Sequence, residues 1–305
     1  VDELPGPPRG TGLRRLWCDH VGVLRSARRQ GARLIHFPKG WVPLRKPPGL
    51  RFLATIHDAI PEYCAVHHPG GTSRLKRAYF AWALRHSLNK ADLIVTDSDA
   101  SRDHLASISP AAAGKMRTVW LGPGISILPG NVGRDSLLVL GSRQPHKAIR
   151  QTLRMLSGWM ARTPGSPALR ITGLSGWPAE WGSAPDLPGA VWLGRVPDDQ
   201  LAREYARAKA LVLLSEIEGF GLPALEAVLS GAAVCYRNVS SVGELMQGAP
   251  GAWDGRDEEG FHRALHEALA APPAAWAAVR ERLARDARWD QTAATMLGLY
   301  AQMLD

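Results

Sequence analysis

Two glutamates bracket a glycine-containing turn in the segment SEIEGFGLPALEAVLSGAAV, residues 215–234. A helix that begins after such a turn has a partial positive charge at its N-terminus and readily binds phosphate. Glu226 lies about 6 Å further along the helix axis, too far to contact the same phosphate, and is expected to bind a ribose diol. Glu218 precedes the turn and is expected to accept hydrogen bonds from a sugar. The pattern therefore predicts a ribose, a diphosphate and a sugar along one turn.

The cations that two phosphates require are predicted in a second loop, within LLVLGSRQPHKAI, residues 137–149. Arg143 and Lys147 follow an apolar strand and precede a helix, and their four-residue spacing could bring both to one ligand. Two fixed cations can neutralise the charge that a divalent metal ion otherwise neutralises. We therefore predict no metal site.

Composition restricts the class of protein. The chain has 305 residues, of which 45% are hydrophobic and 21% charged, which is typical of a globular protein with two domains. Neither a signal-peptide pattern nor an apolar run of roughly 18 residues is present. Three scattered cysteines, Cys18, Cys64 and Cys235, are consistent with a reducing cytoplasm. The net charge of +9 favours anionic partners such as nucleic acid, a membrane surface or phosphorylated small molecules.

Short apolar runs alternate with longer segments of helical periodicity, which predicts an α/β protein with parallel sheets. The predicted strands are 51–57, 91–98, 135–142, 168–174, 190–194 and 210–215, and the predicted helices are 72–90, 146–161 and 198–209, the last with Asp198 as N-cap. The glycine- and proline-rich segment 121–135 is predicted to separate two domains. We therefore expect domains at 1–127 and 128–285, and a C-terminal helix at 286–305 that could pack back on the first domain.

The glutamate segment resembles the signature of family 4 of the retaining glycosyltransferases. Further segments resemble blocks of that family in the expected order: ATIHDAIPEYCAVHHP, ADLIVTDSDASRDHL, VLGSRQPHK, VWLGRVPDDQLAREYARAKALVLLS, VSSVGEL and WDQTAATMLGLY. The resemblance covers most of the chain. It implies a GT-B fold, in which two Rossmann-like domains face each other across a cleft, and a transfer that retains anomeric configuration without a metal.

The resemblance also implies roles for individual residues. Those assigned to the donor are Arg143 and Lys147 for the diphosphate, Glu226 for the ribose, Val196 for the base, Arg102 near the phosphates, and Glu218 with Gly219, Phe220, Gly221 and Leu222 for the sugar. His57 would lie across the cleft near the donor sugar. The expected catalytic group is therefore Glu218, His57, Lys147 and Arg143.

The chain departs from the family pattern at two places. The glycine loop that usually opens the first domain is not found in VDELPGPPRGTG, and Val1 stands where an initiator Met would be. We therefore expect the first domain to be incomplete. In the loop around Lys147, Ala148 replaces a frequent asparagine.

Alternatives remain for several of these residues. His57 could be a structural histidine, or could bind zinc together with Asp58, Cys64, His67 and His68. Arg102 could pair with Asp99 or Asp103 rather than with a ligand. The basic and aromatic helix at residues 72–90 could contact an anionic membrane or could bury its aromatic side chains.

The sequence thus predicts a cytoplasmic glycosyltransferase, and peripheral contact with the inner face of the cytoplasmic membrane is one of the alternatives it leaves open. Its donor would be a nucleoside-diphosphate sugar, with GDP-mannose suggested by likeness to bacterial mannosyltransferases. Its acceptor would be a glycan or lipid-linked glycan of a surface polysaccharide, and no other cofactor and no nucleic acid are expected. The competing hypotheses are an epimerase or phosphorylase of related fold and an inactive basic binding module. Linkage and oligomeric state are not predicted.

Overall fold

The computed structural model of the protein describes residues 18–71, 73–128 and 133–305. It divides into two compact units. The described residues up to Trp120 form the first unit together with Asp290–Asp305, and the second unit is Leu121–Trp289. The boundaries expected from the sequence lay after residues 127 and 285. The segment VDELPGPPRGTG, where the family's glycine loop was not found, lies outside the described residues.

The first unit is built on a four-stranded parallel sheet in the order β1-β2-β3-β4. Its strands are β1 (Leu34–Phe37), β2 (Arg51–Thr55), β3 (Leu93–Thr96) and β4 (Met116–Thr118). Its first helices are α1 (Val23–Arg29), α2 (Ile60–His67), α3 (Arg74–Lys90) and α4 (Asp99–Ile108). All four residues of β3 are buried, as expected for a parallel strand that is covered on both faces.

The second unit contains a six-stranded parallel sheet in the order β10-β9-β8-β5-β6-β7. Its strands are β5 (Ser136–Leu140), β6 (Ala168–Thr172), β7 (Val191–Gly194), β8 (Ala208–Leu213), β9 (Ala233–Arg237) and β10 (Ala252–Trp253). Its helices are α5 (Ile149–Ala161), α6 (Asp198–Arg207), α7 (Leu222–Leu229), α8 (Ser240–Leu245), α9 (Glu258–Ala270) and α10 (Pro273–Asp286). The chain moves outward from β5 to β7 and then returns to the other side of β5, which is the strand order of a Rossmann fold.

The last helix, α11 (Trp289–Leu304), packs on the first unit. Met303 is buried there beside Leu53 and Val95, on one face of the sheet. The Tyr300 hydroxyl lies 2.8 Å from Nδ1 of His36, whose other ring nitrogen lies 2.8 Å from the hydroxyl of Thr55. The C-terminal helix therefore contributes both apolar and polar contacts to a sheet formed near the start of the chain.

The α/β prediction is confirmed, and all six predicted strands are present. Five have slightly shorter bounds, and the sixth, β8, begins and ends two residues earlier than predicted. Four short strands were missed: β1, β4, β9 and β10. They have two to five residues each, so their apolar periodicity is too short to recognise without their neighbours in the sheet. The prediction of Asp198 as an N-cap was wrong. Pro197 occupies the cap position, and Asp198 is the first helical residue.

Candidate functional site

Lys147 and Glu218 meet beside the point where the strand order of the second unit reverses. Lys147 lies in the loop after β5, and Glu218 lies in the loop after β8. These two strands are parallel neighbours, so the loops that follow them emerge at the same edge of the sheet. The Lys147 ammonium donates to both carboxylate oxygens of Glu218, at 2.7 and 2.8 Å. The structure thus joins two predicted site residues that are 71 positions apart.

The ion pair is largely removed from water. The Glu218 side chain is only 8% exposed, and the Lys147 side chain is 24% exposed. A carboxylate in such surroundings is stable only when it is paired or hydrogen-bonded. A ligand that displaces either partner must therefore supply a replacement for the interaction it breaks.

The turn between the two glutamates has a backbone conformation that favours glycine at one position. Gly221 has φ of 98°, and a Cβ atom there would lie 3.2 Å from Cγ2 of Val242. Helix α7 begins at Leu222 with Pro223 in its first turn, where proline is favoured. Phe220 is buried, so the turn is also held by an apolar anchor. The N-terminus of α7, with its partial positive charge, begins four residues after Glu218.

Two serines that the sequence reasoning missed hold the backbone of Glu218. The Glu218 N–H donates to the hydroxyl of Ser240 at 3.2 Å, and the Ser241 hydroxyl donates to the Glu218 carbonyl at 2.8 Å. Ser240 has a positive φ of 50°, which is unusual for serine. Both serines lie in VSSVGEL, a segment that resembles a block of the family. The serines are too far from Glu218 in the chain for any local sequence pattern to indicate this contact.

Glu226 is buried in α7, and its carboxylate faces a glycine of the segment that precedes the second sheet. Its Oε1 atom accepts a hydrogen bond from the N–H of Gly124 at 3.0 Å. Burial raises the pKa of Glu226, while the Gly124 N–H and the nearby Tyr205 hydroxyl oppose that rise. The Tyr205 hydroxyl is close but does not form a well-aligned hydrogen bond. The ribose-binding role of Glu226 stays a prediction.

Arg143 does not join the Lys147–Glu218 pair in this conformation. Its guanidinium donates to the Glu180 carboxylate at 2.8 Å, and both side chains are more than half exposed. Arg143 lies before the single helical turn Pro145–Lys147, whereas Lys147 is the last residue of that turn. The two side chains therefore extend from different parts of the loop. Their shared contact with a diphosphate stays a prediction.

The backbone conformation of Ala148 gives a physical reason why asparagine is frequent at this position in the family that the sequence resembles. It has φ of 53° and ψ of 25°, in the left-handed region, where it joins the turn to α5. A Cβ atom makes this conformation costly, and asparagine tolerates it better than alanine does. The departure noted in the sequence therefore has a local energetic consequence.

The remaining predicted donor residues lie in different places. Val196 is half-buried in the loop after β7, at the carboxyl edge of the second sheet. Arg102, on α4 of the first unit, forms ion pairs with both Asp99 and Asp103. These contacts match the alternative interpretation of Arg102, and its proximity to phosphates stays a prediction.

His57 lies at the carboxyl edge of the first sheet and is held at both ring nitrogens. Nδ1 donates to Oδ2 of Asp97 at 2.7 Å, and Nε2 donates to the Pro38 carbonyl at 3.0 Å. Both partner atoms only accept hydrogen bonds, so this arrangement requires the doubly protonated, cationic ring. The hydrogen bond to Asp97 is the main cause that raises the pKa of His57.

The zinc alternative for His57 gains no support. Among residues 18–71, 73–128 and 133–305, no three His, Cys, Asp or Glu side chains are grouped so that they could hold a metal ion. The sequence contains one Asp-x-Asp stretch, Asp97-Ser98-Asp99. In the structure Asp97 binds His57, and Asp99 pairs with Arg102.

Comparisons with known proteins agree with this architecture. A family model described as Glycosyltransferase Family 4 matches residues 1–122, and a model described as Glycosyl transferases group 1 matches residues 134–271. Sucrose-phosphate synthase from Thermosynechococcus elongatus has a similar structure, with a TM-score of 0.71 and 22% identity over 92% of this chain and 76% of that one. Anabaena HepE, solved with UDP and glucose, has a TM-score of 0.66 and 13% identity over 92% of this chain and 80% of that one. The fold is that of the GT-B glycosyltransferases.

The two family models follow one another along the chain and together match most of it. Both models describe glycosyltransferases, the first of family 4 and the second of group 1, so the chain is composed of glycosyltransferase domains. It is 28% identical to O-antigen chain mannosyltransferase B of Escherichia coli, over 77% of this chain and 65% of that protein. It is 23% identical to O-antigen chain mannosyltransferase RfbU of Salmonella typhimurium, over 69% of this chain and 59% of that protein. The chain thus matches less than two thirds of the length of these relatives.

The first prediction concerns the charge of His57. Asp97→Asn should lower the pKa of His57, because the substitution removes the carboxylate that favours the cationic ring. In the native protein this pKa lies above the ordinary value of 6.5, so the stabilisation from the charged ring is fully present below pH 6.5 and is lost as the pH rises through the raised pKa. NMR titration of the His57 ring measures this pKa in the native protein and in the Asp97→Asn variant. Asp103→Asn, which removes an exposed carboxylate that pairs with Arg102, is the control and should leave the titration unchanged.

The second prediction concerns Ala148. Ala148→Gly and Ala148→Asn should each raise the free energy of unfolding by about 0.5–1 kcal/mol, because both residues adopt the left-handed conformation at lower cost. Urea denaturation measures the change. Ala301→Gly, at an exposed position inside α11, is the matched control and should instead destabilise by about 1 kcal/mol. A loss of stability in both Ala148 variants would show that the backbone there is not strained.

Proposed function

We propose that this chain is a retaining glycosyltransferase that transfers a hexose, with mannose as our choice, from GDP-mannose to a glycan or lipid-linked glycan acceptor. The observation that carries the proposal is the desolvated Lys147–Glu218 pair beside the switch point of a Rossmann sheet and the start of α7. The two relatives described above are O-antigen mannosyltransferases, which supports the choice of sugar and a place in surface polysaccharide synthesis.

In this proposal the donor exchanges partners with the ion pair. The diphosphate takes the Lys147 ammonium, and the N-terminus of α7 adds backbone dipoles that favour the same negative charge. Glu218, released from Lys147, accepts hydrogen bonds from the hydroxyls of the sugar. Arg143 exchanges Glu180 for the diphosphate, an exposed ion pair that costs little to break.

The reaction follows the front-face course that the family resemblance suggests. The bond between the anomeric carbon and the diphosphate oxygen breaks, and the acceptor hydroxyl forms a new bond on the same face of the sugar. The departing phosphate oxygen takes the proton of that hydroxyl, and the nucleoside diphosphate is released. Lys147, Arg143 and the helix N-terminus stabilise the charge that develops on the leaving group, so the proposed reaction needs no metal ion.

The third prediction tests the site itself. Lys147→Ala and Glu218→Ala should each lower the rate of sugar transfer by about 10²–10³-fold, the range expected when one electrostatic contact to the transition state is removed. Product formation from a nucleotide sugar and a glycan acceptor measures the effect. Lys209→Ala, at an exposed lysine on β8 outside the loop, is the matched control and should keep full activity. Unchanged transfer in either site variant would remove the assignment.

Further measurements address the finer parts of the proposal. A thermal-shift series with GDP, UDP, ADP and their sugars ranks the donors, since a ligand that binds only the folded chain raises its apparent stability. Retention predicts that the product has the same anomeric configuration as the donor, which its NMR spectrum shows. Activity should also persist in EDTA.

Conversion of a sugar phosphate without an acceptor would favour an epimerase or phosphorylase. Salt-dependent nucleic-acid binding without nucleotide-sugar binding would favour a basic binding module.

We further propose that the enzyme is cytoplasmic and that α2 and α3 rest on the anionic inner face of the membrane. Large apolar side chains on these helices are unusually exposed: Val66, Leu75, Tyr79 and Trp82. Exposed cations accompany them on α3 at Arg74, Lys76 and Arg85. Aromatic and basic side chains together favour the headgroup region of an anionic bilayer. Within the described part of the chain, none of the helices has the length and apolar character that a bilayer span requires.

The fourth prediction follows from that surface. The protein should sediment with vesicles that contain anionic phospholipid and remain free of vesicles of phosphatidylcholine alone. The double variant Leu75→Ser/Trp82→Ser and the double variant Arg74→Glu/Lys76→Glu should each reduce binding, because one removes apolar insertion and the other removes attraction to the lipid headgroups. Arg263→Glu, at an exposed position on α9 of the second unit, is the charge control. Equal binding to both kinds of vesicle would contradict the proposal.

A further inference from the structure

The segment WDQTAATMLGLY begins with a tryptophan that contacts a distant part of the second unit. Nε1 of Trp289 donates to the carbonyl of Pro123 at 2.8 Å, although 166 positions separate the two residues. The indole also lies against Gly122, where a Cβ atom would come within 2.5 Å of Cδ1 of the ring. All three residues belong to the second unit. The backbone at residues 122 and 123 is therefore held by a side chain from the other end of that unit.

The next residue of the same segment holds the carboxylate of Glu226. The N–H of Gly124 donates to Oε1 of Glu226 at 3.0 Å. A Cβ atom on Gly124 would lie 3.1 Å from the same oxygen, closer than a methyl group and a carboxylate normally approach. Gly124 is exposed and Glu226 is 5% exposed, so this hydrogen bond lies near the surface of the unit. Glycine at residue 124 permits the contact, whereas a side chain there would displace the carboxylate.

The two hydrogen bonds are made by the two sides of one peptide group. The carbonyl of Pro123 and the N–H of Gly124 belong to the planar peptide bond that joins these residues. Because the plane is rigid, the indole that holds the carbonyl also sets the direction of the N–H on the opposite side. A peptide group that accepts a hydrogen bond is polarised by it and becomes a stronger donor. Trp289 is thus coupled to Glu226 through a single peptide group.

This coupling matters because a glutamate side chain has many conformations. A glutamate that its ligand must order loses conformational freedom on binding, whereas one that is already ordered does not. A carboxylate has about four acceptor positions, and the Gly124 N–H uses one of them. The contact therefore orders the side chain and leaves acceptor positions for the two hydroxyls of a ribose.

We propose that Trp289 and the Pro123–Gly124 peptide position Glu226 for the ribose of the donor. The indole holds the peptide, the peptide holds Oε1, and the remaining acceptor positions of the carboxylate take the ribose hydroxyls. Trp289 and Gly124 are positioning residues, because each acts through Glu226. The inference rests on the proposed function, since the ribose belongs to the nucleoside-diphosphate donor, and on the predicted ribose-binding role of Glu226.

The fifth prediction compares the affinity for GDP with that for 2′,3′-dideoxy-GDP, which lacks both ribose hydroxyls. In titration calorimetry the native chain should bind GDP at least about tenfold more tightly, because the dideoxy compound loses hydrogen bonds to a charged acceptor. Trp289→Phe keeps a ring against Gly122 but removes the indole N–H, and Gly124→Ala displaces the carboxylate. Each should reduce the ratio of affinities to about threefold or less by weakening GDP alone, because the ordered carboxylate is lost.

Two variants are matched controls. Gly133→Ala places a methyl group in open space. Trp253→Phe removes an indole N–H on β10 that donates to the Asp257 carbonyl at 2.9 Å. Both should keep the native ratio of affinities. Thermal unfolding measures the stability of every variant, and a loss of stability by itself should weaken both nucleotides equally and leave the ratio unchanged.

The outcomes separate this inference from the proposed function. A ratio that is lost in Glu226→Gln but kept in Trp289→Phe and Gly124→Ala would overturn this inference alone. A native ratio near one, or a ratio that Glu226→Gln keeps, would overturn the ribose-binding role of Glu226 together with the inference. UDP and 2′,3′-dideoxy-UDP are compared in the same way. Absence of binding of both GDP and UDP to the native chain would instead overturn the proposed function.

Discussion

The organisation of the second unit depends on keeping a carboxylate in a place where water scarcely reaches it. Glu218 is stable there because Lys147 donates to both of its oxygens. That contact exists only because β5 and β8 are neighbours, so that two loops far apart in the chain emerge together. The parallel sheet and its reversal of strand order are therefore the physical origin of the candidate site.

The elements around the pair restrict the movement of its backbone. Ser240 and Ser241 bind the N–H and carbonyl groups of Glu218 from the start of α8. At the other end of α8, Arg282 of α10 donates to the carbonyl of Leu245 at 2.8 Å. A cation at a helix C-terminus satisfies carbonyls that lack intrahelical partners and complements the helix dipole. Helix α10 thus supports, through α8, a turn that it does not contain.

In the first unit, as in the second, charged side chains lie at the carboxyl edge of a parallel sheet, but the groups differ. Its sheet also presents ionisable side chains at the carboxyl edge, where Asp97 fixes His57 in its cationic form. An aromatic pair, Trp41 and Phe80, lines the same cavity as His57. The second unit thus offers an ion pair at a helix start, which suits a phosphorylated ligand.

Much of this protein is determined by local sequence. Alternating apolar runs specify the strands and helices, and Gly221 with Pro223 specifies the start of α7, because backbone freedom and helix entry are properties of single residues. The resemblance to the glycosyltransferases was likewise recognisable from local sequence, because Glu218 and Glu226 lie close together in the chain. Only the tertiary structure decided which charges meet. Arg143 and Lys147 are close in the chain but pair with different carboxylates, Glu180 and Glu218, because strand order and loop direction, which no short segment encodes, bring distant residues together.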